Sequence, residues 1–142
     1  MYLQLWPEEN KEDGAPWSYL DTLSILSGTS GQFLDKPAML VTLSGGTPVP
    51  TALPKGITRN LAPAVIHVAY ANFSGNDAND SASIFYTRST DYGQTWSNKN
   101  KLSESVALNQ GVALAANGNS VLAVWRQLAA RHLAVAAQAR IT

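Results

Sequence analysis

The chain contains no cysteine, so disulfides, thiolate zinc sites and a cysteine nucleophile are all excluded. Charged residues make up only 14% of the 142 residues, and acidic and basic side chains balance at ten each. Without a basic stripe to follow a phosphate backbone, nucleic acid is not an expected partner. No apolar run reaches the ~18 residues of a membrane span, so we expect no membrane partner. Residues 1–9 also lack the basic and apolar regions of a signal peptide.

Hydrophobic residues, in contrast, make up 45% of the chain, and they occur in short runs separated by turn residues. Such runs are typical of buried strands rather than of disordered segments. The length is sufficient for one domain with a proper core. We therefore expect an all-β fold with much buried sheet surface.

The most specific pattern is Ser89-Thr90-Asp91-Tyr92-Gly93-Gln94-Thr95-Trp96, which follows a strand-like run at residues 84–87. Ser89 and Asp91 have short side chains that can accept hydrogen bonds from the amides of a turn. Gly93 supplies the positive φ of a tight hairpin. Trp96 then brings a large apolar ring to be buried at the start of the next strand. The pattern thus predicts a β-hairpin around this turn.

This pattern, Ser-x-Asp-x-Gly-x-Thr-Trp, resembles the Asp-box, or BNR repeat, of sialidases and related six-bladed β-propellers. Glu12, Gly14 and Trp17 repeat the spacing of its acidic, glycine and tryptophan positions, and so resemble a degenerate second Asp-box. In the family the Asp-box is a structural turn. The resemblance therefore implies structural roles for Ser89, Asp91, Gly93, Thr95 and Trp96.

The resemblance implies a partial, unclosed sialidase-like propeller of about two to three four-stranded blades. Residues 1–27 would end one blade, 28–104 would form a whole blade with an insert at 44–63, and 105–142 would begin a third. Strands are predicted at 2–6 and 18–27, then at 36–42, 64–71, 83–88 and 96–103, and finally at 110–116, 120–127 and 132–138. The insert is dense in proline and glycine, which predicts a loop without regular elements.

Because a propeller closes with typically four to eight blades, we expect this chain to be a fragment of one propeller domain. Its expected partners are the remaining blades or, through open sheet edges, further copies of itself. The resemblance favours a secreted or periplasmic location for the parent protein.

The family resemblance also implies an exo-glycosidase that removes sialic acid. In the family three arginines clamp the substrate carboxylate, a tyrosine paired with a glutamate is the nucleophile, and an aspartate is the acid/base. The family's Arg-Ile-Pro signature is absent from this sequence, so no catalytic residue is assigned. Two hypotheses stay open: a parent exo-glycosidase acting on sialylated or related glycans, or a non-catalytic Asp-box propeller that serves as a binding or assembly scaffold.

In the family the active site lies on the face opposite the Asp-box, which also gives Arg88 a structural role. The candidate glycan-binding residues on the opposite rim are Asp35, Arg126 and Arg131, within a set that includes the 72–80 loop, Glu104, Asn109 and Gln110. Arg126 could contact an anionic sugar or be a solvated surface residue. Asp35 with Lys36 could supply a functional carboxylate or a loop hydrogen bond.

No cofactor or metal site is predicted. Asn76, Asp77, Asn79 and Asp80 match the alternating ligand pattern of a calcium loop only loosely, and a solvated turn is favoured. His67 lies between apolar neighbours in a predicted strand, so we interpret it as a packed, hydrogen-bonded histidine rather than a ligand.

Overall fold

The structure, a computed structural model, describes residues 1–5, 21–75, 81–104, 108–118, 120–128 and 134–141. These residues form eleven strands and one 3₁₀ turn, Pro54–Gly56. The strands are β1 (Tyr2–Leu5), β2 (Asp21–Ser24), β3 (Gln32–Leu43), β4 (Val49–Ala52), β5 (Thr58–Leu61), β6 (Ala64–Ser74), β7 (Ser81–Ser89), β8 (Asn100–Lys101), β9 (Leu108–Asn117), β10 (Ser120–Leu128) and β11 (Ala134–Ile141). The prediction of an all-β fold is confirmed.

The strands pair with their neighbours along the chain. Strands β3, β6, β7 and β8 form an antiparallel sheet in that order, and β9, β10 and β11 form an antiparallel meander. A single parallel bridge, Ala82 to Leu108, joins β7 to β9. Strands β1 and β2 pair separately, as do β4 and β5. None of the sheets formed by the described residues is closed.

Strand β6 is buried on both faces, with every residue from 66 to 72 less than a tenth exposed. One face places Ala69 and Ala71 against Val112, Ala123 and Trp125 of the β9–β11 sheet. A strand covered on both sides reads as a continuous apolar run rather than an alternating one, which is the pattern of residues 64–71.

The other face of β6 carries Ile66, Val68 and Tyr70, which pack against residues of the β1–β2 segment, including Leu3 and Leu26. Burial raises the pKa of Tyr70 to about 12, so its phenol stays neutral in this core. The described residues therefore form three packed β layers: β1–β2, then β3–β6–β7–β8, then β9–β11.

A buried amide links the second and third layers. The side chain of Asn109 is fully buried and donates from Nδ2 to the carbonyl of Ala82 at 2.9 Å. The indole Nε1 of Trp125 donates to Asn109 Oδ1 at 3.1 Å. Asn109 thus satisfies buried polar groups from two other strands, β7 and β10.

The described residues leave two apolar surfaces uncovered. On β3, Met39, Val41 and Leu43 are between 49% and 73% exposed, on the face that looks toward the β1–β2 layer. On the outer face of β10, Leu122 is 41% exposed and Val124 is 46% exposed. Each surface is a stripe of alternate residues on one strand, so the sheet that contains β3 and the sheet that contains β10 both expose apolar side chains.

The predicted hairpin around residues 89–96 is present, and no helix occurs between residues 83 and 103. Strand β8 is shorter than the predicted 96–103 because only Asn100 and Lys101 have ladder pairing. Two further bonds keep the same chain alignment: Ser97 donates to the carbonyl of Arg88 and Leu102 to that of Ile84, both at 2.8 Å. Strand β3 begins at Gln32, four residues before the prediction, because a bulge carries the ladder past Pro37.

The expectation of a loop without regular elements at 44–63 is wrong. Strands β4 and β5 form a hairpin there, despite prolines at 48, 50 and 54. A two-stranded ribbon has an unpaired edge on each strand, so a proline whose missing N–H would face outward is tolerated. The hairpin closes at its base through a 2.8 Å bond from the amide of Ser44 to the carbonyl of Pro63.

Replacing Asn109 with alanine is expected to lower the free energy of unfolding by about 1–3 kcal/mol, because it leaves the Trp125 indole and the Ala82 carbonyl buried without their partner. Urea denaturation followed by tryptophan fluorescence measures this change. Asn60→Ala, at an exposed position of β5, is the matched control and should have little effect. Equal effects of the two substitutions would contradict the linking role of Asn109.

Candidate functional site

The turn at residues 89–96 is organised by two short side chains. Ser89 Oγ accepts the amide of Gly93 at 2.8 Å and donates to Asp91 Oδ1 at 2.7 Å. Asp91 Oδ1 also accepts the amide of Thr95 at 2.9 Å, while Oδ2 accepts the Thr95 hydroxyl. The carboxylate therefore closes the turn on itself, as the sequence predicts, and its oxygens are engaged within the turn.

The hydrogen bonds of this turn determine the ionisation of Asp91. Partial burial alone would raise the pKa of the carboxyl group. The bonds from the side chain and backbone of Thr95 and from Ser89 outweigh that effect and lower the pKa below its ordinary value. Asp91 is consequently a poor proton donor near neutral pH, which favours a structural role.

Gly93 brings the turn into contact with the first layer. Its φ is +89°, a left-handed conformation that favours glycine, and a Cβ at this position would lie 2.6 Å from Leu3 Cδ2. Trp96 donates from Nε1 to the carbonyl of Gly93 at 3.0 Å and packs with Ile66 and Val68. Part of the Trp96 ring stays exposed, so its burial is less complete than the sequence suggests.

The opposite edge of the layers holds a second polar group of residues, which we name the distal rim and define by Asp35, Gln110 and Arg126. Lys36 forms an ion pair with Asp35, with Nζ 3.0 Å from Oδ2, and donates to Gln110 Oε1 at 3.1 Å. Gln110 lies opposite Arg126 in the β9–β10 ladder, so their side chains project from the same face. Strands β3, β9 and β10 thus place the three residues in one region.

Backbone geometry at the distal rim explains why Lys36 reaches across to β9. The β3–β6 ladder shifts register between Asp35 and Ala38, and Lys36 has a φ of +47°. A lysine in the left-handed region is uncommon, and a bulge redirects the side chains beside it. The strained residue is held by its two polar contacts and by Pro37, which follows it.

A cavity of about 430 Å³ opens beside the distal rim, between the second and third layers. Glu104 supplies an exposed carboxylate, and Gln127 and Gln138 supply amides. Its other lining residues are Leu102, Ser103, Asn109, Trp125 and Ala139. Amide and carboxylate groups beside an indole are able to hydrogen-bond and pack against a ligand that is rich in hydroxyl groups.

The structure describes two of the three candidate ligand residues that the sequence predicts. Asp35 and Arg126 both lie at the distal rim, with Asp35 held in the ion pair and Arg126 exposed. Arg131 lies outside the described residues, as do the calcium-loop candidates at 76–80 and the degenerate motif of Glu12, Gly14 and Trp17. Sequence reasoning missed the bridging role of Lys36 and the contribution of Gln127 and Gln138. In the sequence, only the unusual Lys36-Pro37 pair at the start of a predicted strand pointed to the bridging role of Lys36.

Within the described ranges, no group of three histidine, aspartate or glutamate side chains is placed to hold a metal ion. No helix in the part of the chain that the structure describes is long and apolar enough to cross a membrane. The side chains named above offer hydrogen bonding and charge at the distal rim.

Comparison with protein-family models, with curated proteins and with solved structures found no match to this chain.

Replacing Asp91 with alanine should lower the free energy of unfolding by about 1–3 kcal/mol, since the amide and hydroxyl of Thr95 and the hydroxyl of Ser89 lose their acceptor. The effect should depend on pH. Because folding lowers the pKa of Asp91, the stabilisation by its charge is present at neutral pH and lost as the pH falls through the folded-state value. The difference in unfolding free energy between the natural chain and Asp91→Asn, measured in urea from pH 7 to pH 3, should therefore shrink on acidification. A difference that grows would contradict this account.

Replacing Gly93 with alanine should cost about 1 kcal/mol more than replacing Gly31. Both glycines have left-handed φ values, but a Cβ at Gly31 meets nothing within 4 Å whereas one at Gly93 strikes Leu3. Thermal unfolding of the two variants measures the difference. In a Leu3→Ala background the excess cost at Gly93 should disappear, because the clashing methyl group is gone. An excess that persists there would place the strain elsewhere.

Proposed function

We propose that this chain is a segment of a sialidase-like Asp-box β-propeller whose parent protein is an exo-glycosidase acting on sialylated or related glycans. The observation that carries the proposal is the 89–96 turn. It combines the Ser-x-Asp-x-Gly-x-Thr-Trp sequence with a carboxylate that bonds its own turn and a tryptophan that bonds back to the glycine carbonyl.

The order of the strands supports the same proposal. A propeller blade is a four-stranded antiparallel meander, and β3, β6, β7 and β8 have that order, with the 89–96 turn between the third and fourth strands. The β9–β11 meander repeats the first three strands of this arrangement and packs against its face. The β4–β5 hairpin is then an insert between the first and second strands of the blade.

The uncovered apolar stripes support further blades as partners. Met39, Val41 and Leu43 face one side of the stack, and Leu122 and Val124 face the other. A propeller covers the corresponding faces of each blade with its two neighbours. In the proposed parent, the preceding and following blades would bury these stripes.

The distal rim supports a glycan as ligand. It lies at the edge opposite the 89–96 turn, next to a cavity that is lined by Glu104, two glutamine amides and the Trp125 ring. Arg126 lies at the same end of β10, on the exposed face that is turned away from Trp125. Sugars present hydroxyl groups together with apolar ring faces, which such a lining complements. Arg126 is the candidate contact for an anionic sugar because a guanidinium pairs well with a carboxylate.

A second candidate, a non-catalytic propeller that serves as a binding or assembly scaffold, is favoured by two observations. The sequence has no Arg-Ile-Pro, and the lysine at the distal rim is already paired with Asp35 and Gln110. A carboxylate clamp needs cationic groups that are free to engage the substrate.

The isolated chain should release no fluorophore from a fluorogenic sialoside, because the proposed clamp and nucleophile come from several blades. Misplacement of such groups by about 1 Å costs about a hundredfold in rate, and most of them would be absent here. The assay measures turnover across size-exclusion fractions of the purified chain. Activity that co-elutes with a monomer would overturn the proposal that catalysis needs further blades.

The decisive experiment extends the chain at both ends by its flanking coding sequence and repeats the assay. An upstream Arg-Ile-Pro, two further downstream arginines and sialoside turnover would establish the exo-glycosidase. Glycan binding without turnover would establish the scaffold. A flanking sequence that encodes no further four-stranded repeats would overturn the propeller itself.

A further inference from the structure

A second cavity, of about 200 Å³, lies at the opposite end of the interface between the second and third layers, next to the 89–96 turn. Its polar lining groups are Arg88, His67, Thr42 and Ser44. Its remaining lining consists of Leu43, Val65, Gly118 and Val121. The cavity does not involve the distal rim, and its binding chemistry is independent of the propeller proposal.

Two of the polar lining residues, His67 and Thr42, are hydrogen-bonded to each other on one side of the cavity. His67 is buried, with Nε2 2.9 Å from Thr42 Oγ1 and Nδ1 2.7 Å from Tyr86 Oη. Both ring nitrogens are therefore satisfied, which confirms the interpretation of His67 as a packed histidine. Burial, followed by the nearby charge of Arg88, lowers its pKa, so the imidazole is neutral at physiological pH.

The other two polar groups have unused hydrogen-bonding capacity. Arg88 lies opposite His67 in the β6–β7 ladder, so it projects from the same face into the same interface. Among the described residues, neither the Arg88 guanidinium nor the Ser44 hydroxyl has a hydrogen-bond or ion-pair partner. Of the described residues that line the cavity, Arg88 is the only one with a charged side chain, and none of them is acidic.

We propose that this cavity binds a monocarboxylate that carries a short apolar group. A guanidinium presents two parallel N–H donors that match a carboxylate, and Ser44 adds a hydroxyl donor. A single cation balances a single negative charge. Val65 and Val121 provide an apolar surface for the rest of the ligand.

The test titrates the full chain with sodium butyrate at ionic strength held constant with sodium chloride, and follows the imidazole resonances of His67 by NMR. Butyrate should give a saturable shift and bind more tightly than formate, by about fourfold for each methylene that is buried. Sulfate should bind more weakly than butyrate. Tighter binding of sulfate would overturn the proposed ligand class, and a shift that chloride reproduces would overturn the site.

Arg88→Gln should abolish the saturable shift, and Arg88→Lys should weaken it, because an ammonium cannot make the bidentate contact. Arg140→Gln is the matched control, since Arg140 lies outside this cavity and bonds Ser120 Oγ. The control should bind butyrate like the natural chain.

A measurement on the natural chain avoids reliance on the folding of the variants. Phenylglyoxal modifies accessible arginines, and peptide mass spectrometry reports the extent at each position. Butyrate should slow modification of Arg88 at least several-fold while leaving Arg140 unchanged. Equal rates at Arg88 with and without butyrate would overturn the proposal.

Discussion

Burial of β6 on both faces is the constraint on which the rest of the structure depends. Seven consecutive residues of this strand are excluded from water, so it needs a sheet partner on each edge and a packed layer on each face. Strands β3 and β7 supply the edges, while the β1–β2 and β9–β11 layers supply the faces. Both polar regions lie at the ends of these layer interfaces, where the apolar core stops and side chains reach water.

The two ends differ in how their polar groups are satisfied. At the 89–96 turn, serine, aspartate and threonine bond one another and the local backbone, which fixes the hairpin. At the distal rim, the contacts join residues far apart in the chain, such as Lys36 and Gln110. The hydrogen bonds within the turn stabilise the fold. The exposed side chains of the distal rim, which lie beside a cavity, are in contrast accessible to a ligand.

This difference also explains what the sequence could predict. The contacts of Asp91 lie within four residues, so residue type and spacing were sufficient to anticipate them. The bridge from Lys36 to Gln110 depends on how two layers pack, which no local pattern encodes. The β4–β5 hairpin was missed because its prolines outweighed the strand signal, although a two-stranded ribbon tolerates them at its outer edges. Likewise, the position of Arg88 opposite His67 depends on the β6–β7 register, which the local sequence does not encode.

The β4–β5 hairpin is fastened to the body of the protein by two side-chain hydrogen bonds, one at its base and one beside its turn. Tyr92 Oη donates to the carbonyl of Ala62 at 2.7 Å, and Gln94 Nε2 donates to that of Ala52 at 3.1 Å. The turn at residues 53–57 is closed by the bond from the amide of Leu53 to the carbonyl of Ile57. Because the entropy of loop closure grows slowly with length, this tip is a natural graft point for an epitope or a fluorescent tag, at a place where lengthening the chain leaves the layered core unchanged.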